Sequence, residues 1–125
     1  MNGDDRPELR SIWDEAKAHI ERGDYDKAIE IYRYVLIRYA ENDIAVEYAN
    51  AYLGDIFLTI RGLELAEKHL KMAITIAPGN SHYYYLLCFA KRVITKAFLL
   101  LQIRNERPYL SSAYLGNISA ETFTT

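Results

Sequence analysis

The sequence contains a single cysteine, Cys88, so the chain cannot form a disulfide bond with itself. It also lacks an apolar stretch at its start, where MNGDDRPELR is polar and acidic and therefore unlike a signal peptide. These two absences favour the cytoplasm, a reducing compartment. A membrane span is not expected either, because Lys91, Arg92 and Lys96 interrupt the run of about 20 apolar residues that one requires.

Neither sign of charge is in large excess: 15 basic residues face 17 acidic ones, for a net charge of −2. The distribution is uneven, with 11 acids and 7 bases in residues 1–43 but 5 bases and 2 acids in residues 81–125. The bases of this last segment are too sparse for the dense basic stripe that nucleic-acid binding requires. We therefore expect no nucleic-acid partner, and we attribute the asymmetry to the two ends of an elongated molecule.

Residue groupings that support catalysis or metal binding are also missing. His19, His69 and His82 stand far apart, unlike the closely spaced ligands of zinc sites. No histidine is placed to act as a base for Cys88. The glycines stand singly, so no glycine-rich loop is present to cradle a phosphate. We predict a protein that is not an enzyme and has no metal ion or cofactor.

Apolar residues recur at three- and four-residue intervals along most of the chain, which is the pattern of amphipathic helices. Short polar or glycine-containing breaks interrupt this pattern. At the first break, Gly23 suits the left-handed conformation that ends many helices, and Asp24 is expected to cap the next helix through its side-chain oxygen. The pattern predicts an all-α chain of about five helices: a first one with Pro7 in its first turn, Asp4 or Asp5 as its cap and its end near Arg22, then residues 25–39, 44–60, 63–77 and a last one of about 24 residues from Ser81.

Two pairs of these helices repeat each other at a constant offset of 38 residues. Small residues recur where paired helices must approach closely, and large residues recur where the resulting gap must be filled. A fixed period of this size indicates a solenoid of stacked helical hairpins. The small residues are Ala16 and Ala28 in the first pair and Gly54 and Ala66 in the second.

This pattern resembles the tetratricopeptide repeat family, most closely in the second unit, where Leu53-Gly54, Ala66, Leu70 and Pro78 stand at the family's signature spacings. The resemblance covers about residues 9–80. It implies a short right-handed helix–turn–helix solenoid with a leader (residues 1–8), two repeats (9–43 and 44–80), a long capping or interface helix (81–106) and a tail (107–125).

Members of this family typically bind an extended or helical peptide on the concave surface formed by the first helix of each pair. The resemblance therefore implies a non-catalytic adaptor or scaffold that binds a peptide or protein segment. The residues that it places on this surface are Trp13, Lys17 and Ile20 in the first helix, Tyr48, Ala51 and Asp55 in the third, and His82, Tyr85 and Phe89 in the fifth. Aromatic rings mixed with single charges suit a partly apolar ligand.

The last helix carries more apolar surface than a terminal repeat normally exposes. One face, with Ile94, Ala97 and Leu101 among its residues, is expected to cover the fourth helix. Three arrangements remain open for the other face: the tail covers it, a second chain covers it in a homodimer, or the chain is an incomplete version of a longer repeat protein. In the dimer the interface would contain Phe89, Leu99 and Ile103. The alternative function is therefore a structural protein that self-associates through residues 81–104.

Three consecutive tyrosines, Tyr83, Tyr84 and Tyr85, open the same helix. They span about 200° of its circumference, so at least one must face away from the core. Tyrosine is rigid and amphipathic, which favours it at interfaces. Tyr85 is therefore either an interface residue or a packing residue under the tail.

Overall fold

The computed structural model describes residues 5–106, and every regular element in that range is an α-helix. The predicted all-α class and the five helices are thus confirmed. The first helix begins at Asp5, so Pro7 lies in its first turn as predicted, a position that tolerates proline. The helices are α1 (Asp5–Glu21), α2 (Tyr25–Arg38), α3 (Asp43–Thr59), α4 (Leu63–Ile76) and α5 (Ser81–Glu106).

The turn between α1 and α2 confirms one predicted role and contradicts another. Gly23 has a φ of +79°, the left-handed conformation that costs glycine little. Asp24, however, does not cap α2, since its side chain makes no capping hydrogen bond. Its Oδ2 lies 3.6 Å from Nε of Arg22 and 3.8 Å from Nδ1 of His19, so the carboxylate is held at the end of α1 instead.

The turn between α3 and α4 uses its glycine differently. Arg61, and not Gly62, has a left-handed φ of +67°. Gly62 is the N-cap residue of α4, with a φ of −83°. A Cβ atom at Gly62 would lie 3.1 Å from Cδ1 of Phe57, so this glycine permits a close approach rather than an unusual backbone conformation.

Asparagine side chains cap the N-terminal ends of α3 and α5. At the start of α3, Oδ1 of Asn42 accepts a hydrogen bond from the N–H of Ala45 at 3.1 Å. At the start of α5, Oδ1 of Asn80 accepts one from the N–H of His82 at 3.0 Å. Both bonds satisfy an N–H group that a helix start leaves without a helical partner. The polar breaks in the sequence therefore contain the residues that cap the following helices.

Each helix packs against the next one along the chain, and α5 also contacts α3. The four small residues of the repeat pattern, Ala16, Ala28, Gly54 and Ala66, are all buried. A Cβ atom at Gly54 would lie 2.7 Å from Cγ of Leu70. The approach of α3 to α4 therefore requires a glycine at this position.

The last helix is much longer than the helix on which it packs. With 14 residues against 26, α4 is about 21 Å long and α5 about 39 Å. The prediction that Ala97 and Leu101 cover α4 is wrong, because both are exposed near the place where α4 begins. Leu65 of α4 is 41% exposed, and Cys88 of α5 is also exposed.

None of the five helices combines the length and the apolar character that crossing a membrane requires. The predicted tail, residues 107–125, lies outside the described residues, and so does the first half of the predicted leader, residues 1–4. Whether the tail covers α5 therefore stays a prediction.

Candidate functional site

A cavity of about 280 Å³ opens between α3 and the start of α5. Its walls include four residues predicted for the peptide-binding surface: Tyr48, Ala51 and Asp55 of α3, and His82 of α5. The three α3 residues share one face because they are three and four residues apart. The packing of α5 on α3 brings His82 to that same face.

The α3 wall of this cavity is aromatic. Tyr48 and Tyr52 are 45% and 47% exposed. The ring of Tyr52 stacks on the buried Tyr32, with 5.1 Å between ring centroids, and the Trp13 ring lies 5.8 Å from Tyr32 and 6.3 Å from Tyr52. This cluster holds Tyr52 in position while almost half of its surface stays in contact with solvent.

Tyr83 attaches the first turn of α5 to α3. Its hydroxyl donates a hydrogen bond to Oε2 of Glu47 at 2.7 Å, and its side chain is buried. Burial raises the pKa of Tyr83, and the hydrogen bond and the charge of Glu47 raise it further. The hydroxyl therefore keeps its proton and remains a donor at neutral pH. This bond fixes the distance between the two walls of the cavity.

A second cavity, of about 440 Å³, continues the first along α5. It is lined by two further predicted residues, Tyr85 and Phe89, and it shares Asp55 and Leu86 with the first. We call the two cavities together the α3–α5 groove. Asp55 lies where they meet, and it forms no ion pair with any residue that the structure describes.

The α1 residues of the predicted site lie outside this groove. Trp13 lines a separate cavity with Pro7 and Arg10. Lys17 is exposed, and Ile20 is partly buried against the core. The contact between Trp13 and Tyr52 links α1 to the groove wall, but Trp13 serves there as a packing residue.

The predicted dimer interface is only partly available. Leu99 is 51% exposed, while Phe89 and Ile103 are half-buried. The sequence did not single out Phe98, which is 58% exposed. The most accessible apolar surface of α5 therefore differs from the predicted one.

Four residues that line the first cavity were missed by sequence reasoning: Tyr52, Asn80, Tyr83 and Leu86. Tyr52 had a usable signal, because it stands four residues after Tyr48 on one helical face. Tyr83 had none, since its bond to Glu47 depends on how α5 packs on α3.

The three consecutive tyrosines of α5 differ in exposure, as expected for residues that span about 200° of a helix. Tyr83 is buried, whereas Tyr84 and Tyr85 are 43% and 68% exposed. This confirms that at least one of the three faces away from the core. Tyr85 is the most exposed of them and lines the groove.

The groove offers tyrosine rings, the Asp55 carboxylate, the His82 imidazole and the Arg61 guanidinium, which together suit hydrogen bonding, stacking and charged contacts. Within the described part of the chain, no three His, Cys, Asp or Glu side chains lie close enough to hold a metal ion. Comparisons with protein-family models, curated protein sequences and solved structures found no match to the chain.

Proposed function

We propose that this protein is a non-catalytic adaptor of the tetratricopeptide type, which binds a peptide or protein segment in the α3–α5 groove. The observation that supports this most directly is the single cavity surrounded by Tyr48, Ala51, Asp55 and His82. These residues come from two helices, and the resemblance to the repeat family implies all four as part of one binding surface.

The packing of the helices supports the proposed right-handed solenoid. Consecutive helices pack on one another, and the small residues of both hairpins are buried. In such a stack the first helices of successive pairs, here α3 and α5, share one surface. The single cysteine supports a cytoplasmic location.

The side chains of the groove define the class of ligand. Tyrosines that are nearly half exposed can each cover an apolar or cationic group of the ligand at low entropic cost. Asp55 adds a charge that is not already paired within the described residues. We therefore expect peptides that combine an apolar residue with a Lys or Arg.

Selection of peptides from a phage-displayed library on the full chain tests this proposal. The affinity of the selected peptides is then measured by calorimetry for the wild type, Tyr48→Ala and Tyr85→Ala. Each substitution should weaken binding by about tenfold, because it removes an aromatic contact from the groove. Trp13 is unsuitable as a test residue, since its ring packs on Tyr32 and its loss would disturb the fold.

Tyr34→Ala is the matched control, because Tyr34 is 49% exposed on α2 and does not line the groove. It should leave the affinity unchanged. Circular dichroism confirms that all three variants are folded. Enrichment of no peptide, or an equal loss of affinity in Tyr34→Ala and Tyr48→Ala, contradicts the proposal.

Self-association through α5 is the second candidate function, and the exposure of Leu99 favours it. Leu99→Glu would then convert a dimer into a monomer in sedimentation experiments. Ile37→Glu is the control, since Ile37 is 81% exposed on α2. A wild-type protein that sediments as a monomer at about 50 µM, above the dissociation constant of a stable dimer, rules this candidate out.

A further inference from the structure

A second groove lies on the opposite side of α5 from Leu99, between α5 and the first turn of α4. It has a volume of about 520 Å³ and is lined mainly by apolar side chains. Leu63 and Leu65 come from α4, and Ile94, Phe98 and Leu101 come from α5. We call it the α4–α5 groove.

The difference in helix length explains why this apolar surface is uncovered. The second half of α5 passes the start of α4 and has no further helix beside it in the described part of the chain. Leu65 is 41% exposed, Phe98 58% and Leu101 55%. Ile94, Phe98 and Leu101 follow the spacing by which one helix packs against another. The groove therefore has the shape and the chemistry of an unfilled helix position.

The charges around the groove are unbalanced. Four bases, Lys91, Arg92, Lys96 and Arg104, lie in α5, against one acid, its last residue Glu106. None of the four forms an ion pair with a described residue. Two of them flank the groove. Lys91 stands seven residues before Phe98, and Arg104 stands seven residues after Ala97. Seven residues are two helical turns, so each base lies on the same face of α5 as the groove residue with which it is compared. On the α4 side, Arg61 offsets Glu64.

This positive charge argues against two occupants that belong to the same protein. A symmetric contact between the α5 helices of two copies would double the uncompensated charge in one interface. Residues 107–125 contain one acid, Glu121, and one base, Arg107, so they cannot neutralise it either. An anionic bilayer would match the charge, but a flat surface does not fill a groove between two helices.

We infer that the α4–α5 groove binds an acidic amphipathic helix of a partner protein. The apolar stripe of that helix packs on Leu65, Phe98 and Leu101, and its acidic flanks face Lys91 and Arg104. The helix would take the position that a sixth helix would occupy in a longer stack. This surface meets the α3–α5 groove at Arg61, which lines both, but the apolar residues of the two grooves are different, so two ligands would bind on neighbouring surfaces.

Two synthetic peptides of about 18 residues test this inference. Both carry leucines at helical i, i+3, i+4 and i+7 spacing, but one has glutamates and the other lysines at the flanking positions. Fluorescence anisotropy measures their binding to the full chain. The glutamate peptide should bind at least about tenfold more tightly, and the difference should shrink in about 0.5 M NaCl.

Variants of the protein locate the binding surface. Phe98→Glu should weaken binding of the glutamate peptide by about tenfold or more, and Lys91→Glu with Arg104→Glu by about fivefold. Ile37→Glu and Lys27→Glu, both at exposed positions of α2, should have no effect. Because Tyr48→Ala leaves this groove intact, it should not change the affinity for these peptides, which separates this result from the test of the α3–α5 groove.

Several outcomes would overturn the inference. One is no binding of the glutamate peptide at about 100 µM, and another is equal affinity for both peptides. A third is a dimer that Phe98→Glu dissociates, which would assign the groove to a second copy. A fourth is tight binding to phosphatidylserine vesicles that Phe98→Glu abolishes while peptide binding persists, which would assign it to a membrane surface.

Discussion

Between α3 and α4, Nδ1 of His69 lies 2.8 Å from Oδ1 of Asn50, and both side chains are buried. The Nδ2 group of Asn50 donates to the carbonyl oxygen of Val46 at 3.0 Å, so Oδ1 is free to accept. The proton of the neutral imidazole is therefore assigned to Nδ1. The ring of Phe57 stacks on the His69 ring at 5.7 Å. A protonated ring could make the same bond from Nδ1, but burial of the ring favours its neutral form.

Stability should therefore fall as the solution becomes acidic. Burial lowers the pKa of His69 below the ordinary histidine value of 6.5, and the positive charges of Lys68 and Arg33 lower it further. Below about pH 6.5 the unfolded chain binds a proton that the folded chain does not, so acid favours unfolding until the folded-state pKa is reached. The slope for one proton is at most about 1.4 kcal/mol per pH unit.

Urea unfolding at several pH values between about 5 and 7.5 measures this effect. His69→Gln should flatten the pH dependence, because glutamine does not titrate. His82→Gln, at an exposed position, should leave it as in the wild type. An unchanged slope in His69→Gln would show that carboxylates, and not His69, are responsible.

Gly54→Ala should destabilise the fold although alanine is the better helix former. The gain in helix propensity is about 1 kcal/mol, but the new Cβ would lie 2.7 Å from Cγ and 2.8 Å from Cδ2 of Leu70. Leu70 is fully buried and has no room to move, so we expect a net loss of about 1–3 kcal/mol. Urea unfolding of Gly54→Ala, Leu70→Ala and the double variant measures the coupling. Additive losses would mean that the two residues do not clash.

Gly23→Ala isolates the cost of a left-handed residue. No atom lies within 4 Å of a Cβ at this position, so only the φ of +79° opposes the substitution. We expect a loss of about 1 kcal/mol. Gly79→Ala is the control, because that site is equally open but has no left-handed φ. It should be neutral or slightly stabilising, and equal losses at both sites would contradict this explanation.

Tyr83→Phe should lower the free energy of unfolding by about 1.5 kcal/mol, since it removes a hydrogen bond to a charged acceptor. It also leaves Glu47 partly buried without that donor. Tyr48→Phe removes a hydroxyl from the opposite wall of the same cavity, at an exposed position, and should change stability little. Thermal unfolding compares the two, and a Tyr83→Phe protein as stable as the wild type would show that the bond contributes nothing.

The helices themselves were predictable because their causes are local. The spacing of apolar residues and the breaks at Gly23, Asn42, Gly62 and Asn80 determine where each helix begins and ends. The burial of the small repeat residues was also predictable. Small residues that recur at the 38-residue offset mark the positions where paired helices approach closely. Six residues that line the α3–α5 groove were implied by the resemblance to the tetratricopeptide repeat family.

Contacts between distant residues could not be predicted in this way. The bond from Tyr83 to Glu47, the pairing of Asn50 with His69, and the exposure of Leu65 and Leu101 all depend on how far one helix overlaps another. Asp24 failed as a cap because Arg22 and His19 compete for its carboxylate. Helix positions are set by residues a few places apart, which the sequence displays directly. Whether a side chain is covered is set by neighbouring helices of unequal length, and only the tertiary structure decides that.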